Sequence, residues 1–170
     1  LYTGYRHEGP AAVRYPRDRG NGVTLEEPMR EIPLGKSRTL RRGKRVALLA
    51  FGSMVRTSTT VADRLDATLL DMRFVKPLDH EAVLEAAATH DYLVTLEENA
   101  VAGGAGSGVN ELLAAAGVAV PVINIGLNDE YIQHGTREEC LRLAGLDADS
   151  VLARIRRDCN LEENRSKTAS

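Results

Sequence analysis

Tryptophan is absent from these 170 residues, and aromatic side chains make up only 4%. A surface that stacks bases needs aromatic platforms, so single-stranded nucleic acid is not an expected class of partner. Neither sign of charge dominates: 22 Lys and Arg face 24 Asp and Glu, for a net charge of -2. The long-range pull toward phosphate backbones that marks duplex-binding domains is therefore missing. Two cysteines, Cys140 and Cys159, are too few and too far apart for a structural zinc site. No apolar run approaches a signal peptide or a membrane-spanning helix, and the expected setting is a reducing cytoplasm. The chain begins at Leu1 without Met, which leads us to expect a piece of a longer protein.

What is present is alternation. From Arg45 onward, apolar runs of strand length are followed by helical patterns: Val46–Phe51, a helix to about Leu65, Ala67–Met72, a helix over His80–Thr89, Asp91–Leu96, a helix from Val109, and Pro121–Ile125. Two further helices are expected, Arg137 to Ala144 and one reaching about Arg157. Ser53, Asp79, Thr136 and either Asp147 or Asp149 are the candidate N-caps, and Gly117 the C-terminal stop. Continuous apolar runs belong to strands covered on both faces, so the expected fold class is α/β, a mostly parallel, mixed sheet with helices on both faces. Ahead of this unit, Ala11–Pro16 reads as a short strand ended by its proline. Arg17 to Lys44, broken by Gly and Pro, reads as a connection carrying one or two short strands, with Ser37 to Arg42 the preferred one. The cationic group Lys36, Arg38, Arg41, Arg42, Lys44 and Arg45 is capable of holding phosphate, but without interleaved aromatics a solvated strand pair and turn is preferred.

The stretch that most invites a functional reading is Glu97 to Glu111, a Gly-rich passage between a strand and a helix, where α/β proteins commonly bind ligands. A dinucleotide fingerprint needs three glycines at fixed offsets. Gly104 and Gly106 supply two, but Val109 occupies the third place. No Gly-Lys-Ser/Thr follows as a P-loop would require, and Glu97 and Glu98 would repel an anion. Glycines that permit close backbone packing are the preferred reading, possible subunit contact included. Ser107 lies between glycines but lacks the nucleophile-elbow pattern. His7, His80, His90 and His134 show no metal-ligand spacing, and His134, in a loop near Asp129 and Glu130, is the best functional candidate among them. Neither cysteine has an activating neighbour. Arg17 differs in kind: it follows Tyr15-Pro16 at the carboxyl end of an expected strand, where a guanidinium can fork onto a phosphate or carboxylate, against the bland reading of a surface arginine beside Asp18.

Four blocks then stand together in order: Gly9 to Arg17, Asp71 to Asp79, Thr95–Asn99 with Gly103–Glu111, and Asn124 to Leu127. They resemble the C-terminal part of the 1-deoxy-D-xylulose-5-phosphate synthases, within the transketolase-like, thiamine-diphosphate-dependent family. The resemblance spans roughly Leu1 to Arg157. It implies residues 1–17 as the tail of a pyrimidine-binding domain, 18–44 as a linker, 45–158 as a C-terminal domain, and 159–170 as a disordered tail. It also implies a homodimeric transferase that condenses pyruvate with glyceraldehyde 3-phosphate, losing carbon dioxide, for isoprenoid and thiamine precursors. Thiamine diphosphate and Mg2+ ligands and the catalytic residues would lie before Leu1, leaving this piece inactive alone, with no catalytic, cofactor or metal residue of its own. Arg17 would be the substrate-binding residue, contacting the aldehyde's phosphate. Two departures from the family pattern are the insertion of Asp18-Arg19 before Gly20 and Asn128 in place of a proline. The alternatives are the β subunit of a 2-oxo acid dehydrogenase and a stand-alone interaction or nucleotide-binding module.

Overall fold

A computed structural model describes residues 1–16, 20, 24 and 27–161 of the chain. Arg17, with the inserted Asp18 and Arg19, lies outside the described residues, and so do positions 162–170 of the expected tail.

After a short helix α1 (Tyr2–Arg6), the described chain forms β1 (Arg38–Arg41), β2 (Val46–Ala50), α2 (Met54–Leu65), β3 (Thr68–Asp71), α3 (His80–Thr89), β4 (Tyr92–Ala100), α4 (Ala105–Ala115), β5 (Val122–Leu127), α5 (Arg137–Leu143) and α6 (Ala148–Asp158). The strands make one sheet in the order β1-β3-β2-β4-β5. Every neighbouring pair is parallel except β1 with β3, where the antiparallel register shifts between Thr39 and Arg41.

The unbroken apolar run of β2 has a simple cause. Successive side chains of a strand point to opposite faces, and both faces of this central strand are covered. Val46, Leu48 and Ala50 meet Met54, Val61 and Ala62 of α2 and Val151, Leu152 and Ile155 of α6. Ala47 and Leu49 meet Val83 and Ala86 of α3 and Val109 and Leu113 of α4. Each fully buried Leu or Val contributes about 1.5–3 kcal/mol over its exposed state, and all five residues of β2 are buried.

Local chemistry sets the helix ends. Asp79 accepts from the backbone of Ala82 at the start of α3, and Thr136 and Glu139 form a reciprocal capping box on α5. Asp147 accepts from Asp149 and Ser150 at the start of α6. Gly117 follows α4 with φ 67, a left-handed turn that glycine takes without steric penalty.

Several sequence expectations need correction. Ala11–Pro16 is not a strand: its residues are exposed, and a lone extended segment has no ladder to join. Ser53 precedes α2 with helical backbone angles and makes no side-chain cap. β4 runs four residues beyond Leu96, and α4 starts at Ala105, ahead of the expected Val109. Cys159 is buried and Leu161 packs against the same core, so the packed domain continues past residue 158.

The chain order also defines a crevice. From β2 the chain moves to β3 on one side, then crosses back to β4 on the other. Between the carboxyl ends of β2 and β4 the winding reverses, which is where open α/β sheets receive ligands.

Candidate functional site

Two adjacent glutamates at the end of β4 lie at this reversal and do different things. Glu97 is buried, with 3% of its surface exposed. Its carboxylate accepts from the backbone N–H of Ala105 at 2.7 Å and of Gly106 at 2.9 Å. The first N–H groups of a helix lack partners within the helix, and the helix dipole favours negative charge there. Glu97 therefore serves as a built-in anion for α4. Close packing around this helix start explains two glycines. A Cβ on Gly104 would meet Ala100 O at 2.3 Å and Glu97 Oε2 at 2.4 Å. One on Gly106 would meet Asn124 Nδ2 at 2.5 Å and Thr95 Oγ1 at 2.6 Å. Those two side chains are themselves joined, Asn124 Nδ2 donating to Thr95 Oγ1 at 2.7 Å, while Asn110 Nδ2 donates to Asn124 Oδ1 at 2.8 Å. The Gly-rich passage is thus a close-packing device, and the place a phosphate would take on α4 already holds a carboxylate.

Glu98 faces the crevice. Its carboxylate receives Ser53 Oγ at 2.5 Å and both sides of the Arg137 fork, Nη2 at 2.5 Å and Nε at 3.4 Å. Its backbone carbonyl accepts from Arg14 Nη2 at 2.9 Å. Partial burial pushes this carboxyl up. Hydrogen bonds from Arg137 and Ser53, with the charges of Arg137 and Arg14, more than offset that and hold it below the usual glutamate range. One residue thereby joins the start of α2, the end of β4, the start of α5 and the segment leading to Arg17. Sequence reasoning grouped Glu98 with Glu97 as a repulsive pair and missed it. Its partners stand 45, 39 and 84 positions away, so no local pattern announces them.

The remaining candidates are exposed or held by structural partners. Of the six cations before β2, Lys36 pairs with Glu81 and Asp79, Arg38 with Asp71, Arg41 with Asp63 and Asp66, Lys44 with Asp66, and Arg45 with Asp91. The solvated strand-and-turn reading stands. His7, His80 and His134 are exposed. His90 is half-buried, with Nε2 2.8 Å from Thr68 Oγ1 and Nδ1 3.0 Å from Ala86 O, a packing role. Ser107 Oγ donates to Val101 O in the first turn of α4. Burial pushes the Cys159 thiol up to about 11, and Cys140 is half-buried near Gln133 O. Arg73, passed over in the sequence, follows β3 with left-handed backbone (φ 58) and lies 3.7 Å from Asp71.

Among the described residues no three His, Cys, Asp or Glu side chains are grouped to hold a metal ion, and no helix is long and apolar enough to cross a membrane. At the start of α4, the helix that follows the Gly-rich passage, the Glu97 carboxylate takes the N–H groups that a diphosphate would otherwise use.

Comparison with known proteins is consistent with this geometry. The chain is 56% identical over 155 residues to a 1-deoxy-D-xylulose-5-phosphate synthase of Methylococcus capsulatus, covering 91% of this chain and 24% of that one. It is 52% identical over 163 residues to the enzyme so named from Alcanivorax borkumensis, covering 96% and 25%. The chain thus spans about a quarter of the length of the curated relatives it matches. Among solved structures, a split-gene transketolase described as an inactive β4 tetramer superposes with TM-score 0.72 at 31% identity, over 82% of this chain and 47% of that one. Transketolase from Campylobacter jejuni shares the fold, with TM-score 0.55 and 14% identity over 77% of this chain and 20% of that one. Residues 35–151 match the family described as the transketolase C-terminal domain, well over half of the sequence, and the chain belongs to that family.

Proposed function

We propose that this chain is the C-terminal part of a 1-deoxy-D-xylulose-5-phosphate synthase. The whole protein would be a cytoplasmic, homodimeric transferase that condenses pyruvate with glyceraldehyde 3-phosphate, releasing carbon dioxide and feeding isoprenoid precursor synthesis. The observation that carries this reading is identity above half to synthases of that name along nearly the whole chain. Thiamine diphosphate with Mg2+ would supply the electron sink for decarboxylation and carbon–carbon bond formation. Its ligands would lie in the rest of the protein, so this part alone would be inactive.

The contribution of this chain is to bind and orient. Arg17 would grip the phosphate of glyceraldehyde 3-phosphate, a task for which a planar guanidinium is suited, since two parallel N–H groups fix direction as well as distance. Holding the phosphate places the aldehyde for attack and lowers the entropic part of the barrier. Support comes from the Arg14 contact at Glu98, which ties the segment before Arg17 to the crevice between β2 and β4.

The test is Arg17→Ala in the full-length protein. Loss of a charged phosphate contact, about 1.5–3 kcal/mol, raises KM for glyceraldehyde 3-phosphate about 10- to 100-fold while KM for pyruvate stays close to its original value. Equal changes in both would remove Arg17 from the role. Failure of the full-length protein to make the pentulose phosphate would sink the assignment itself.

A further inference from the structure

We propose that Tyr131, Ile132 and Leu143 form a docking face at the carboxyl edge of the sheet, covered by the part of the same polypeptide that precedes this chain. The proposal rests on the reading above that the chain is the C-terminal part of a longer synthase. Large apolar side chains scattered singly over a surface are ordinary, whereas several gathered in one place mark a contact. Tyr131 stands wholly in solvent, Leu143 is two-thirds exposed, and Ile132 is exposed as well. All three line one shallow cavity of about 230 Å³, together with the polar Asn128, Glu130 and Gln133. Apolar and polar side chains in this mixture, with tyrosine prominent, are the make-up of a protein interface.

The face is built into the fold. The loop 128–136 leaves β5 at its carboxyl end, which lies on the same side as that of β4 because the two strands are parallel. Both ends of the loop are held. The Leu127 carbonyl accepts from the Val101 N–H at 3.0 Å, and Arg137 grips the Glu98 carboxylate with both sides of its fork. Burying Leu143 would contribute about 1.5–3 kcal/mol, yet it is left in solvent beside Tyr131.

Length and the route of the chain say what covers it. This chain spans 24% and 25% of two such synthases, so about three-quarters of the protein lies outside it. On that reading the remainder joins through residues 1–16, and this segment comes to the same edge. Arg14 Nη2 donates to the Glu98 carbonyl at 2.9 Å, while Arg137, six positions from both Tyr131 and Leu143, holds the carboxylate of that same Glu98. Val13 and Tyr15, on either side of Arg14, are exposed too. The incoming chain and the Tyr131 face are therefore anchored on one residue. A buried tyrosine keeps a polar tip, so the opposing surface is apolar with a hydrogen-bonding group for the Tyr131 hydroxyl.

The experiment compares the 170-residue chain with the full-length protein by hydroxyl-radical footprinting, read residue by residue by mass spectrometry. Oxidation of Tyr131 and Leu143 should be at least about fivefold slower in the full-length protein, because the core of an interface excludes water. Equal rates in the two overturn the proposal. To identify what covers the face, Tyr131 is replaced in the full-length protein by the photo-crosslinker p-benzoylphenylalanine, and Leu143 is replaced likewise in a second variant in case the first does not fold. Irradiation should give a product of single-chain mass whose cross-linked peptides map to sequence ahead of this chain. A product of double mass assigns the face to a second subunit, and cross-links confined to this domain assign it to no partner; either result overturns the proposal. Synthase activity on the same preparation keeps the two readings apart. Pentulose phosphate formed while Tyr131 stays open to oxidation defeats this inference alone, and no pentulose phosphate formed defeats the assignment on which it rests.

Discussion

Replacing Gly104 by alanine adds one methyl group, and the structure says where it must go. The new Cβ would stand 2.3 Å from the carbonyl oxygen of Ala100 and within 2.6 Å of two atoms of the Glu97 carboxylate, against about 3.5 Å or more for comfortable contact. The carbonyl belongs to β4 and cannot yield without bending the strand, so the carboxylate is displaced. Ala105 and Gly106 then lose their acceptor at a buried helix start. Overpacking costs about 1–3 kcal/mol, and two charge-assisted hydrogen bonds add about 3 kcal/mol at the low end of their range. The sum, about 4–6 kcal/mol, is comparable to the whole stability of many domains. With a urea dependence of about 2 kcal/mol per molar, the unfolding midpoint should fall by about 2–3 M. Gly108, in the same helix, has open space where its Cβ would be. Gly108→Ala should therefore raise stability by up to about 1 kcal/mol through the lost freedom of the unfolded chain. The two variants, followed by circular dichroism across a urea series, separate contact from conformation. A midpoint loss below about 0.5 M for Gly104→Ala, or equal shifts in both, would refute the steric argument.

Two further outcomes follow from titrating groups. For Asp79, burial pushes its carboxyl up, but hydrogen bonds from the Ser37 backbone and hydroxyl and from the Ala82 backbone, aided by the Lys36 charge, leave it below the usual range. A carboxyl depressed on folding stabilises above its unfolded value of about 3.9 and loses that contribution as pH falls toward the folded value. The stability gap between the parent chain and Asp79→Asn, measured by urea midpoints, should be full at pH 6 and shrink below about pH 4; a gap independent of pH would contradict this. For the thiols, burial pushes Cys159 up to about 11, leaving roughly one thiolate in a thousand at pH 8. Dithiobisnitrobenzoate at that pH should label Cys140 in the native chain and Cys159 only after guanidinium is added, and two fast labels in the native chain would show the core is open there.

Much of the architecture could be read from local chemistry. The helix over His80–Thr89 was legible to the residue because Asp79 caps it and its apolar side chains recur at helical spacing. β2 was legible because a strand covered on both faces has no polar position to interrupt it. The glycines of the loop were read as packing residues, and Gly104 and Gly106 bear that out. Most of the errors arise because a residue's partner, or the lack of one, is not written in its immediate neighbours. Glu97 caps a helix from the preceding strand, so α4 begins among glycines that by themselves suggest loop. Ser53 looks like a cap, yet its hydroxyl turns to Glu98. Ala11–Pro16 has a strand's composition without a neighbour to pair with. Arg17, identified by resemblance, lies outside the described residues, and what surrounds the crevice was visible only in Glu98 and its partners.

The two outer strands carry a consequence for how crowded this protein can be. An edge strand is an invitation to any other strand in solution, and cross-sheet growth starts there. β1 answers with an arginine at each end, in Arg38 and Arg41, and with an irregular register that spoils templating. β5 has no charge among Val122, Ile123, Asn124, Ile125, Gly126 and Leu127, but the Arg154 guanidinium reaches from α6 to the Asn124 carbonyl at 3.2 Å. One rim is guarded by what its own residues carry, the other by a helix leaning over it, and fibril-like recruitment between copies is discouraged at both.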